Sequence, residues 1–265
     1  MFPRLAAAAL VVLVASAARA HDCVVACAAQ PGHVELQLRT QFGQITRPGI
    51  APTYRQLSLF ASAAVGSGVT VSGMVSGYDV RSGGTDTTGI GDLSLGISRT
   101  VVRGNTTFYF AAATHLPTGS AEKALGMGHP MGLVGAGGTW APGGAFRFGL
   151  DVLDGLAVTT AEHQHTDVLV NPHSMHELFY ETWTSWSRGP LTLRAAIASQ
   201  TALASEENLK SAFTPVASAG YSFGSAWQVQ ADVMAPSFGQ RYFGWQAGVS
   251  ISRALGGAAC WRGAP

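Results

Sequence analysis

The sequence predicts an all-β chain: a closed antiparallel transmembrane β-barrel of about 12 strands, with short periplasmic turns and long extracellular loops. Three observations lead there. Apolar and polar residues alternate with period two along most of the chain, so each strand faces two different environments. Only 12% of the 265 residues are charged and 47% are hydrophobic, yet no run of 18 apolar residues follows the first twenty. That excludes both a helical membrane protein and a disordered chain. Finally, the connections between strands alternate strictly between short and long, as they do in a barrel with periplasmic turns and outward loops. A Greek-key sandwich has no reason to sort its connections this way.

The N-terminus carries an address. Arg4 precedes an apolar stretch from Leu5 to Ala17, and Ala18-Arg19-Ala20 forms an A-x-A site. Residues 1–20 therefore read as a cleaved signal peptide, with the mature chain starting at His21. Cleavage leaves 14 basic and 15 acidic residues, a net charge of −1. The remaining organisation is a periplasmic N-terminal segment at 21–32, the barrel at 33–255 and a C-terminal tail at 256–265. With no basic patch, nucleic acid is not an expected partner.

Strands are expected near 33–42, 54–65, 68–79, 91–102, 106–116, 131–141, 145–153, 176–187, 190–200, 213–223, 226–235 and 242–253. The clearest is 33–42, where Val34, Leu36, Leu38, Thr40 and Phe42 oppose Glu35, Gln37, Arg39 and Gln41. Parity is least clear near 131–141 and 213–223. Tight turns are expected at Gly66-Ser67, Arg103-Gly104-Asn105, Pro142-Gly143-Gly144, Arg188-Gly189 and Gly224-Ser225. Phe108, Phe146, Trp186, Phe223 and Trp227 sit beside these turns, where an interfacial girdle belongs. Arg99 and Arg253 fall on the apolar face but near the same end, where they can snorkel.

Two short motifs carry a family resemblance. Gly89-Ile90-Gly91-Asp92-Leu93 resembles the G-x-G-D-L strand opening of an outer-membrane transporter family named for the meta-pathway of phenol degradation. One strand later, His115-Leu116-Pro117-Thr118-Gly119 is similar to that family's P-T-G strand exit before a long loop. The resemblance implies a barrel that passes small molecules across the outer membrane, and no catalytic residues.

With the apolar faces toward lipid, Glu35, Arg39, Tyr78, Asp92, Tyr109, Arg147, Asp151, Glu177, Glu181, Arg194 and Asp232 become the expected lumen lining. Charges of both signs in a narrow space are expected to pair, because a lone desolvated charge is costly. They serve either as mutually neutralised structural charges or as a selectivity filter. The same interior can be a narrow polar path or can be filled by side chains. For Asp92 the alternatives are a buried hydrogen bond or ion pair, or a contact to solute.

His163, His165, His173 and His176 share one outward loop or its edge, within the segment 162–177, and could ligate Zn²⁺ or Cu²⁺. Their spacing fits no fixed zinc module, so solvated loop histidines are the competing account. No cofactor is expected otherwise. Cys23, Cys27 and Cys260 meet an oxidising compartment after export, and three cysteines allow one internal bridge at most. No G-x-S-x-G, Walker A or H-E-x-x-H motif occurs, so the chain is not expected to be an enzyme.

These readings converge on an outer-membrane channel in a Gram-negative bacterium, with membrane lipid and a small solute, aromatic or hydrophobic, as partners. Passage would be passive diffusion. The alternatives are a metal-binding outer-membrane protein using the histidine loop, and a structural barrel with a plugged lumen.

Overall fold

The computed structural model describes residues 32–45, 51–120, 123, 125–158, 176–203, 210–224, 226–235, 238–239 and 243–255. These form one antiparallel sheet whose twelve long strands close into a ring. The long strands are β1 (Val34–Ile45), β2 (Thr53–Gly66), β3 (Val69–Ser82), β5 (Leu93–Arg103), β6 (Thr106–Leu116) and β7 (Met131–Gly143). The second half adds β8 (Phe146–Ala157), β9 (His176–Arg188), β10 (Leu191–Ala202), β11 (Lys210–Phe223), β12 (Trp227–Met234) and β14 (Phe243–Leu255). Two short strands, β4 (Thr85–Ile90) and β13 (Phe238–Gly239), extend the outer rim by pairing with β3 and β11. They lie inside connections that the sequence pattern left without strands.

Closure follows from the pairing of the first and last strands, which run in register from Val34 opposite Leu255 to Gln44 opposite Trp245. A closed ring leaves every strand hydrogen-bonded on both sides, which a lipid environment demands. Short turns gather at one end and long connections at the other, as expected. The first turn sits at Ser67-Gly68 rather than Gly66-Ser67, because Gly68, at φ +70°, takes the left-handed position. Such hairpins need positive φ, which glycine adopts without steric cost.

The burial pattern is inside out relative to a soluble protein. On β2, Leu57 and Leu59 are 55% and 52% exposed, whereas Ser58 between them is 4% exposed. The same inversion recurs on β1, where Leu36 and Leu38 are exposed and Arg39 is buried. Such a continuous apolar exterior is stable only against hydrocarbon. Phe108, Phe146, Phe223 and Trp227 are exposed beside the short turns, joined by Trp140 and Tyr221. Arg253 lies on this belt with its guanidinium 5.1 Å from the centre of the Trp227 ring. A second aromatic group, Tyr180, Phe213 and Phe238, marks the opposite rim, with Phe213 and Phe238 stacked at 5.5 Å. The two belts bracket the membrane-spanning band. The chain is a closed transmembrane β-barrel.

Candidate functional site

The functional volume of such a barrel is its lumen, and parity decides what enters it. Glu35, Arg39, Tyr78, Tyr109, Arg147, Asp151, Glu177, Glu181, Arg194 and Asp232 all stand on the inward set of their strands. Most are deeply buried: Glu177 is 0% exposed, and Arg39, Asp151, Glu181 and Arg194 are each below a tenth. The two strands of unclear parity resolve as well. Leu133 and Thr139 of β7 point inward, as do Thr214 and Val216 of β11.

Charged side chains pair across strands. Arg39 Nη2 donates to both carboxylate oxygens of Asp232, at 2.9 and 2.8 Å. The pair reaches across β14, where a Cβ at Gly248 would lie 3.0 Å from Arg39 Nη2. Glycine at that position is what lets the two side chains meet. Arg194 Nη2 donates to Glu181, and its guanidinium carbon lies 5.1 Å from the centre of the Trp183 ring. Asp151 accepts from Tyr109 Oη at 2.8 Å and from Trp183 Nε1 at 2.9 Å. Gln200 donates to Glu177 at 2.9 Å. Desolvating these charges costs several kcal/mol each, and the mutual contacts offset that cost.

The aromatic rings are held by a device that residue periodicity did not reveal. Trp183 pairs with Gly149 and Tyr109 with Gly137 across neighbouring strands. A Cβ at Gly149 would come within 2.1 Å of Trp183, and one at Gly137 within 2.3 Å of Tyr109. Each ring therefore lies flat against bare backbone and turns a face inward, a use of cross-strand glycine also known from sheet design. Tyr54 covers Gly43 in the same manner. Both partners were visible in the sequence, but the register that joins them was not.

Asp92 is placed differently from the other lumen residues. It stands in the connection between β4 and β5, and its carboxylate binds the segment 117–130 that follows β6. Oδ1 accepts the Gly119 amide at 3.0 Å and Oδ2 accepts the Met127 amide at 2.7 Å. The Leu93 amide donates to Thr118 Oγ1 at 2.8 Å. Close packing reinforces the latch: a Cβ at Gly126 would meet Asp92 Oδ1 at 2.7 Å and the Gly119 backbone at 2.8 Å. Leu125 covers Gly89, and Met127 enters the buried cluster of Tyr109, Met131, Leu133, Leu153 and Phe179. This segment is thus a strap drawn into the barrel from its outer end. The two motifs behind the family resemblance are the two halves of this joint.

Among the described residues, Gln41, Glu177, Gln200 and Gln246 are almost inaccessible to water and bond to one another in pairs inside the ring. Of the loop histidines, His176 is described, and its Nε2 lies 2.7 Å from Asp154 Oδ1. His163, His165 and His173 lie outside the described residues, as do Cys23, Cys27 and Cys260 and the segment 1–31.

No family model matches the chain, and no curated protein sequence matches it. Solved structures do. An outer-membrane channel from Pseudomonas putida F1 superposes with a TM-score of 0.70 at 12% identity, over 86% of this chain and 97% of that one. The KdgM porin in complex with disordered oligogalacturonate gives 0.56 at 8% identity, over 84% and 99%. The β domain of the Bordetella autotransporter BrkA gives 0.52 at 10% identity, over 85% and 100%. At these identities the likeness shows the fold, and barrels of more than one function share it.

Proposed function

We propose that this barrel is a channel for small solutes in the outer membrane of a Gram-negative bacterium, reached by a cleaved signal peptide. The observation that carries this reading is the inward face. It holds Arg39, Arg147 and Arg194 together with Glu35, Asp151, Glu177, Glu181 and Asp232. A barrel with only a structural task is better filled with apolar side chains, since buried ion pairs contribute little net stability. Ionic and aromatic groups retained on an enclosed surface serve a solute that must leave water and cross.

The strap is the gate of this channel. It sits at the outer end, is tied chiefly through the Asp92 carboxylate with Thr118 beside it, and buries Met127 inside the lumen. Passage occurs when the strap withdraws and the inner side chains part. Passage is by passive diffusion, biased by the inward charges and aromatic rings. Tyr109, Phe179 and Trp183 support a solute with an aromatic or apolar part. The joined G-x-G-D-L and P-T-G motifs support kinship with the transporter family of the phenol meta-pathway. The deep burial of the inward side chains favours one competing reading, a permanently plugged barrel.

Current recording from purified protein in planar bilayers decides between them. A channel gives discrete ion steps, more frequent in Asp92→Ala. Silence from both proteins, each folded as judged by heat-modifiable gel migration, rejects the channel.

A further inference from the structure

One strand carries a pattern that neither the fold nor the gate explains. The inward residues of β9, read from the outer rim, are Glu177, Phe179, Glu181, Trp183 and Ser185, and the first four form a series. Carboxylate and aromatic ring alternate, and same-face neighbours on a strand lie about 7 Å apart along it. The series therefore covers roughly 20 Å of lumen depth.

Both rings are seated against glycines of β8. Trp183 lies flat over Gly149, and a Cβ at Gly155 would meet Phe179 at 3.2 Å. A flat ring offers its negative face, which attracts cations, more so when they are desolvated. The chain already seats a cation there. The Arg194 guanidinium sits over Trp183 and on Glu181, with no acceptor for its buried Nε and Nη1 among the described residues. The pairing of ring face and carboxylate that holds this cation is the one an incoming ammonium or guanidinium group would use.

Local charge has the same sense. Asp151 stands opposite Glu181 in register, so two carboxylates lie at the level of the Arg194 guanidinium. The series ends where the sign changes, at Arg147 opposite Ser185. Its outer part lies under the strap, because Met127 shares a buried cluster with Phe179.

We propose that the inner face of β9 is a recognition track for small organic cations, an ammonium or guanidinium group carried on an apolar or aromatic body. The carboxylates take the charge and the rings take both the charge and the apolar part. This rests on the channel reading, and two measurements separate their failures.

The first is calorimetric titration of the detergent-solubilised, folded protein with benzylammonium chloride and, separately, sodium benzoate. The second is the zero-current potential of the bilayer channel in a KCl gradient. Benzylammonium binds and benzoate does not, Phe179→Leu weakens benzylammonium about threefold or more, and the potential shows K⁺ passing ahead of Cl⁻. Binding without any conductance overturns the channel and leaves the track. Conductance without benzylammonium binding, with equal binding of benzoate, or with Cl⁻ preferred overturns the track and leaves the channel. An unaltered affinity in folded Phe179→Leu also overturns it.

Discussion

The carboxylate of Asp92 accepts the backbone amide of Met127 at 2.7 Å, across 35 residues of chain. One side chain at the start of β5 thereby sets the position of a hydrophobic side chain deep in the lumen. Replacing Asp92 with alanine removes two charge-assisted hydrogen bonds, worth about 1.5–3 kcal/mol in all once water replaces them. The fraction of time spent open should rise roughly tenfold to a hundredfold. Single-channel recording measures it, and an unchanged open fraction would disprove the latch.

Arg39 and Asp232 form a buried pair reaching across β14. Arg39→Ala should destabilise the barrel by about 3–5 kcal/mol, because it strands a buried carboxylate. The double variant Arg39→Leu with Asp232→Leu should recover most of that loss. Urea unfolding from lipid vesicles gives both values; equal losses in the single and double variants would contradict the account.

Gly149 is predicted to be intolerant of any side chain. Gly149→Val drives atoms into the Trp183 indole and should cost about 1–3 kcal/mol or more. Combining it with Trp183→Leu should restore stability. A Gly149→Val barrel with a wild-type unfolding midpoint would show that the ring does not rest on bare backbone.

Metal binding by the outer histidines gives a separate expectation. Titration with Zn²⁺ or Cu²⁺ should show a site that is lost when His163, His165, His173 and His176 are changed together to alanine. Equal affinity in both proteins removes that reading. The His176–Asp154 contact at 2.7 Å supplies the kind of carboxylate partner that orients a ligating imidazole.

Val34 and Leu255 are register partners, so both ends of the barrel chain emerge side by side at the short-turn rim. Cys260 follows five residues after Leu255, and Cys27 and Cys23 precede Val34 by seven and eleven. One disulfide from Cys260 to Cys27 or Cys23 is expected in exported protein. Non-reducing mass mapping that finds three free thiols would refute it.

The alternation in stretches such as Leu36–Phe42 was enough to separate the lipid-facing from the inward residues, and the inward candidates on strands follow that parity. Turn glycines and loop lengths were enough to give the number of long strands and to gather short turns at one end and long connections at the other. These are local properties, set by the two-residue repeat of a strand and the short reach of a hairpin. Register is a different matter. Gly149 beneath Trp183, Gly248 between Arg39 and Asp232, and the Asp92–Met127 contact join residues 16 to 209 positions apart. Whether the lumen is open or filled depends on those contacts, because side-chain volume occupies space only once neighbours are assigned. The sequence by itself therefore determined the wall of the barrel and the sorting of its connections between the two ends. The tertiary structure alone decided which side chains meet inside that wall.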